Sequence, residues 1–583
     1  MLPRIVTDRI TQLYGAEKTP AIAAKLSVLL ERYQGMQGRE IPDFLSEKDI
    51  FLITYADSVR QKDAAPLRSL LQFTREKLSE LISIVHILPF FPSTSDDGFS
   101  VIDYRQVNSD LGDWGDIAAL AGHVDICFDL VLNHCSQSSR YFQGFLLGDP
   151  RYRDFFIAVD PDTDTSSVLR PRTLPLLHEF DTAEGAKWVW TTFSRDQVDF
   201  NFQNSDVLME MLDVLLFYVA RGARVVRLDA IAYLWKELGG SCAHLWQTHT
   251  IVKLLRDILD IAAPSVLLLS ETNVPQAENI SYFGDGSDEA QIVYNFPLPP
   301  LVLYTLTSGN AVHLTRWAQS LEPISRRTTF LHFTASHDGI GIRPVADILA
   351  ADEFQQMIDR VRRHGGHVSS KNDQQGNPIA YELNINYFDA LNNPHAPADP
   401  EIEIDRFLVS QSIPLVLRGI PAIYIHSLLG SRGWPEGVRQ TGNPRAINRE
   451  KLDLNDILKQ LHQQETGPPH FSRRAVVFQR YGEMIKLRRG HKAFCPHAGQ
   501  KVLDLGASFF AVSRTAVDLS ETILAIHNVT GEPQTCTLET PLSGFPKTPT
   551  IKDLISGQAI TAASEGKLPI KLPPYRFMWI KFT

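Results

Sequence analysis

The stretch SDVLMEMLDVLLFYVARGARVVRLDA, residues 205–230, reads as one helix feeding one buried strand. Val207, Leu208, Met211, Leu212, Leu215, Leu216 and Val219 recur at the 3.6-residue period of a helix that lays one face on a core. Ser205 is placed to cap its start, and Gly222 to end it. ARVVRL (223–228) then shows no polar alternation, as expected of a strand covered on both faces by helices. The strand ends in Asp229, and alternation along a strand puts Arg227 on the same side.

The same texture recurs along the chain. Phe51–Tyr55, Val85–Leu88, Ile126–Leu132, Ser265–Leu269, Phe330–Thr334 and Ala422–Ile425 are short apolar runs, and Thr248–Ile261 is a second amphipathic helix ahead of one of them. Strand and helix alternating in this way predict βαβ units. The span from about residue 50 to about 490 accommodates a closed α/β (β/α)8 TIM barrel with insertions. Residues 136–203, including DPDTDTSSVLRPRT, have no regular period and are expected to form an inserted, loop-rich domain over the barrel mouth. A second loop-rich stretch, from Arg362 to about Tyr387, contains HGGHVSSKNDQQGNP and reads as a functional lid. Beyond about residue 500, SFFAVSR, ETILAIHNV and YRFMWIKF alternate like antiparallel strands. The expected division is therefore 1–135 and 204–495 for the barrel, 136–203 for the insertion, and 496–583 for a small C-terminal β domain.

Composition narrows the function classes. The 583 residues carry 57 Lys and Arg against 67 Asp and Glu, a net charge of −10 that argues against a nucleic-acid partner. Five cysteines, none spaced as CxxC, indicate neither a disulfide framework nor structural zinc, and a reducing cytoplasmic location is expected. No HxH, HExxH or clustered Asp/Asn loop calls for a metal, and no cofactor is expected. A run of about 18 apolar residues is absent, so no membrane partner is expected.

In a barrel of this kind, chemistry sits where the strands end. Those ends carry Asn133 and His134, Asp229, Glu271, and His337 with Asp338. Each acidic residue alone reads more readily as a turn or capping group, but three on separate strands, each beside His or Arg, form a pattern. Cleaving a glycosidic bond with retention needs a carboxylate nucleophile and a carboxylic acid that protonates the leaving oxygen, about 5–5.5 Å apart.

DLVLNH (129–134), VVRLDAIAY (225–233), LLLSETN (267–273) and FTASHDGI (333–340) resemble the four ordered regions of the α-amylase superfamily of glycoside hydrolases. ILPFFPSTSDDGFSVIDYRQVNSDLGDW (87–114), LWKELGGSCAHLWQTHTIVKLLR (234–256) and ETNVPQAENISYFGDG (271–286) are similar to its sucrose phosphorylase group, and this likeness runs over nearly the whole chain. The resemblance implies that Asp229 is the nucleophile, Glu271 the general acid/base and Asp338 the transition-state stabiliser. It places Asp96, His134, Arg227, His337 and Arg445 around the glucosyl unit, Phe193 against the developing positive charge, Gln197 nearby, and Phe99 at the acceptor border.

The implied reaction passes a glucosyl unit from a small α-glucoside to inorganic phosphate by double displacement, giving α-glucose 1-phosphate. A monomer or homodimer is expected. Arg343, His367 and Lys371 are candidates for holding phosphate or the acceptor. The segment 364–387 looks unlike that of plain sucrose phosphorylases, which lowers sucrose in the ranking. Uncharged Gln137, at a place where an anion-binding residue is sought, favours neutral glycerol as the acceptor, hence glucosylglycerol. Glucosylglycerate and sucrose 6-phosphate are the alternatives that Arg140, Arg343 and Lys371 keep open, and hydrolysis or transglucosylation is the alternative chemistry on the same scaffold.

Overall fold

The computed structural model describes residues 2–35, 45–172, 174–322, 324–372, 378–396, 399–466, 472–539, 551–560 and 567–582. Eight parallel strands close a barrel: β1 (Phe51–Thr54), β2 (Ile84–Ile87), β3 (Asp125–Val131), β4 (Ala223–Asp229), β5 (Leu267–Ser270), β6 (Ile292–Tyr294), β7 (Thr329–His332) and β8 (Ile420–Tyr424). Phe51 lies opposite Ala422 and Ile84, so β1 joins β8 on one side and β2 on the other. Their side chains are almost all buried, which explains the unbroken apolar runs in the sequence. Three-residue β6 was not among the runs singled out from the sequence; QIVYNFP offers too little apolar length to register there.

The helix read from the sequence spans Ser205–Ala220, with Val207, Leu208, Met211, Leu212, Leu215, Leu216 and Val219 buried. Its cap differs from the expected one. The Asn204 side chain accepts the Asp206 backbone N–H at 3.0 Å, and Ser205 is already the first helical residue. At the other end Gly222 adopts φ +96°, a left-handed conformation that glycine enters without a Cβ clash. The following helix, Trp246–Ala262, begins two residues before the expected start.

Both stretches expected to be irregular contain secondary structure. Between β3 and the helix at Ser205 lie a helix, Arg140–Leu146, and an antiparallel sheet of Ala158–Val159, Gly185–Trp190 and Leu177–Thr182. His134–Ser136 pairs antiparallel with Gln197–Asp199, tying the entry of this segment to its exit. The second stretch is a hairpin rather than an open lid. His367–Asn372 pairs with Pro378–Asn384, which pairs in turn with Ile340–Gly341 just beyond β7. Polar composition masked this strand pairing; residues 373–377 of the quoted run lie outside the described residues.

At the C-terminal end, Gly499–Leu503, Phe509–Thr515, Thr522–Asn528, Phe577–Phe582, Ile551–Asp553 and Ala559–Ile560 form an antiparallel sheet, with its own core around Leu524, Ile526 and Ile580. Arg514 from this sheet donates to the Val416 carbonyl at 2.9 Å, at the end of the helix that precedes β8. Among the described residues, no helix is long and apolar enough to cross a membrane.

Candidate active site

The carboxyl ends of β3, β4, β5 and β7 converge on one cavity lined by Asp96, Phe99, His134, Phe193, Gln197, Arg227, Asp229, Glu271, His337, Asp338, Arg343, Lys371 and Arg445. Register explains the convergence. Arg227 on β4 lies opposite Asp129 on β3, and Leu228 lies opposite Ser270 on β5. One step further the ladder sets Asp229 beside Glu271, and the Glu271 N–H still donates to the Leu228 carbonyl at 3.2 Å. Neighbouring strands run about 4.8 Å apart, so this step brings the two acidic residues side by side.

Arg227 organises both. Its guanidinium donates to Asp229 Oδ1 at 2.9 Å, lies 3.9 Å from Glu271 Oε2, and pairs closely with Asp129. Asp129 is also 2.7 Å from His86 Nε2, which fixes the arginine from behind. Ala230, with φ +50°, turns the chain so that its N–H donates to Glu271 Oε2 at 3.2 Å.

Asp338 occupies a more positive environment. Arg445 Nη1 lies 2.6 Å from Asp338 Oδ1, with Arg449 Nη2 and His337 Nε2 each at 3.6 Å. Although burial opposes ionisation, Arg445, Arg449 and Arg227 hold the Asp338 carboxyl well below the ordinary range. Asp229 and Glu271 go the other way. Burial is the largest cause raising both; at Asp229 the neighbouring charges of Glu271, Asp129 and Asp338 add to it, and at Glu271 that of Asp338. Arg227 opposes the rise at both. It contacts Asp229 directly and Glu271 only at longer range, while the Ala230 N–H serves Glu271.

On the opposite wall, Gln197 Nε2 contacts Asp96 Oδ2 at 3.3 Å and His134 Nε2 at 3.2 Å. Burial lowers the His134 pKa and brings that of His337 to about 3, so both rings are neutral. Asp96 is delivered by the turn Asp96-Asp97-Gly98, in which all three residues have positive φ. A Cβ on Gly98 would lie 2.4 Å from the Pro89 carbonyl oxygen, so this turn requires glycine. Phe99 stacks on His337 at 5.1 Å with 7° between the rings, and Phe193 meets the Tyr233 ring edge-on at 5.6 Å.

The structure does not bring Gln137 or His367 to this cavity. Gln137 is tethered in a turn by its N–H to Asp196 Oδ1 at 3.3 Å, and His367 is exposed at the start of the hairpin, opposite Asn384. Arg343 and Lys371 do line it. Burial, reinforced by Arg343, holds the Lys371 ammonium below the usual lysine range. Three further residues went unread in the sequence: Arg172 from the insertion, and Tyr381 and Glu382 from the hairpin. Arg172 donates to the Tyr381 hydroxyl at 2.6 Å, and Glu382 forks onto Arg445 at 3.0 and 2.6 Å. Their only sequence signal is position within segments already read as mouth-covering.

Comparison with known proteins identifies the family. The α-amylase family, described as "Alpha amylase, catalytic domain", matches residues 78–338. A glucosylglycerate phosphorylase of Spirochaeta thermophila is 44% identical over 588 residues, covering 98% of this chain and 98% of the other. A glucosylglycerol phosphorylase of Marinobacter adhaerens is 29% identical, covering 78% of this chain and 89% of the other. Among solved structures, sucrose 6F-phosphate phosphorylase from Thermoanaerobacter thermosaccharolyticum superposes with a TM-score of 0.71 at 25% identity, covering 85% of this chain and 96% of that one.

Proposed function

Since the chain belongs to the sucrose phosphorylase group of the α-amylase family, and is a glycosyl-transferring phosphorylase, we propose that its substrate is glucosylglycerate, cleaved by phosphate to α-glucose 1-phosphate and glycerate. This replaces glycerol, the acceptor favoured by uncharged Gln137, for two reasons. Gln137 lies away from the cavity, and similarity to the glucosylglycerate enzyme is both higher and longer than to the glucosylglycerol enzyme.

The observation that carries the proposal is the cationic rim of the cavity. Arg172, Arg343 and Lys371 come from three separate segments to line it, and among the described residues no carboxylate is within ion-pair distance of any of them. A neutral acceptor such as glycerol or fructose would leave these positive groups to the phosphate half-reaction alone. Glycerate and phosphate are both anions, and they occupy the site in turn, so one rim serves both half-reactions.

In the first half, an Asp229 carboxylate oxygen bonds to the anomeric carbon as the bond from that carbon to the glycerate oxygen breaks, and Glu271 gives its proton to that oxygen. In the second, a phosphate oxygen bonds to the anomeric carbon, the ester to Asp229 breaks, and the proton of hydrogen phosphate passes to Glu271. Two inversions restore the α configuration. The raised Glu271 carboxyl and the direct contact of Arg227 with Asp229 support these roles, and Asp338, held ionised by Arg445, is suited to the positive charge that develops on the ring. Phe193 presents an aromatic ring to the same cavity.

The test is the synthetic direction: glucose 1-phosphate offered separately with glycerate, glycerol, fructose and fructose 6-phosphate while orthophosphate release is followed. Glycerate is expected to give the highest kcat/KM. A higher value for any other acceptor overturns the assignment.

A further inference from the structure

The hairpin beside the cavity contains an irregularity at the point where it touches the catalytic machinery. Ser369 lies opposite Glu382, yet the next residue, Ser370, lies opposite Ala380, so Tyr381 is an extra residue in the second strand. In a regular strand Tyr381 and Glu382 would face opposite sides; a bulge of this kind re-aims side chains, and here both line the cavity. Tyr381 receives Arg172 from the insertion. Glu382, 2% exposed, clasps Arg445 through both of its oxygens, at 3.0 and 2.6 Å, and Arg445 reaches Asp338 with its remaining terminal nitrogen at 2.6 Å. The same strand anchors the chain just after Asp338, because Gly341 lies opposite Glu382 and Ile340 opposite Leu383. A Cβ on Gly339 would meet Glu382 Cγ at 2.7 Å, so this approach leaves little slack.

We propose that Glu382 is a positioning residue for the glucosyl transfer: by fixing two nitrogens of Arg445, it sets the place and orientation of the third, and thereby of Asp338. The proposal rests on the reading of Asp338 as the group that stabilises the transition state. A guanidinium held by a fork cannot swing, whereas one held at a single carboxylate pivots about it. Without Glu382, Arg445 would pivot on its remaining contact with Asp338 and carry the carboxylate away from the sugar. Displacement of about 1 Å in a positioned group costs up to roughly 100-fold in rate.

The experiment compares Glu382→Gln, Glu382→Asp, Asp338→Asn and the double variant Glu382→Gln/Asp338→Asn on α-glucosyl fluoride with phosphate, a donor reactive enough to leave measurable turnover. Glu382→Gln is expected to lower kcat by about 10- to 100-fold with KM for phosphate within about twofold. Glu382→Asp keeps the charge and should recover part of the loss. In the Asp338→Asn background, Glu382→Gln should cost less than about threefold more, since the group it positions is already gone. An unchanged kcat in both Glu382 variants, or a full further loss in the Asp338→Asn background, overturns the proposal. Should Glu382→Gln fail to fold, judged by its thermal unfolding, Glu382→Asp carries the same comparison. Near-normal turnover of Asp338→Asn would overturn the reading of Asp338 itself, an outcome distinct from the first two.

Discussion

Lys371→Met isolates the charge on the cavity rim while keeping the aliphatic length of the side chain. Lys371 sits on the first strand of the hairpin opposite Ile379 and lines the cavity with Arg343. A hydrogen bond between an ammonium and a carboxylate contributes about 1.5–3 kcal/mol, and each 1.4 kcal/mol is about tenfold in affinity. Because Lys371 is only half-buried, the lower part of that range applies, and Arg343 and Arg172 remain to share the load. The expected result is a rise of about 10-fold in KM for glycerate in the synthetic direction, with KM for glycerol changed by less than about twofold. The quantity to measure is the ratio of kcat/KM for glycerate to that for glycerol, which cancels any general damage to glucosyl transfer. The ratio should also carry a pH signature. The Lys371 pKa is lowered, so the ammonium is lost at a lower pH than for an exposed lysine. Preference for glycerate should therefore decline on the alkaline side in the parent enzyme and be flat in Lys371→Met. Equal losses on both acceptors, or an unchanged ratio, would show that Lys371 does not read the carboxylate.

Other outcomes test separate parts of the structure. Asp229 and Glu271 have folded-state pKa values above their unfolded ones, so their contribution to stability is greatest below the ordinary carboxyl range and is lost as pH rises through the raised values. Asp229→Asn should thus unfold at a higher temperature than the parent near neutral pH, with the gap closing toward about pH 4; a gap independent of pH contradicts a raised Asp229 carboxyl. Glu271→Gln should lose far more turnover on glucosylglycerate than on α-glucosyl fluoride, whose leaving group needs no proton, and equal losses on both donors contradict its acid role. Arg514, fully buried, donates to the carbonyls of Val416, Cys495 and Gly499 at 2.9, 2.7 and 3.2 Å. Arg514→Met strands these acceptors at about 1–3 kcal/mol each, offset in part by removal of a buried charge, so thermal unfolding should drop by several degrees while kcat of the folded protein is unchanged. An unaltered unfolding temperature would show that this junction contributes nothing to stability.

What the sequence revealed and what it concealed follow from the range of the interactions involved. Strands β1, β4 and β7 are legible because burial on both faces leaves an apolar run that no loop would carry. Asp229 and Glu271 are legible because each closes such a run, Asp338 because it follows one within six residues beside His337, and the alternation that joins Arg227 to Asp229 is local. The hairpin is a different case. Its strands pair through backbone groups across SSKNDQQGNP, a polar segment whose composition resembles that of an open loop, and the bulge at Tyr381 depends on register alone. Arg172 and Glu382 therefore went unread, since each acquires its meaning from a partner remote in sequence, Tyr381 and Arg445 respectively. Gln137 and His367 failed for the same reason: nearness to a motif in sequence says nothing about which way a loop residue faces. The exchange of Asn204 for Ser205 as helix cap is a one-residue shift between two adjacent residues that are both good caps.

The central claim is that the glucosyl unit is carried on Asp229. Glu271→Gln incubated with α-glucosyl fluoride in the absence of phosphate should accumulate a covalent adduct of one glucosyl unit per chain. Peptide mapping by mass spectrometry should place it on Asp229 within VVRLDAIAY, and added phosphate should discharge it as α-glucose 1-phosphate. An adduct on any other residue, or phosphorolysis by Asp229→Asn at a rate near that of the parent enzyme, would contradict the account.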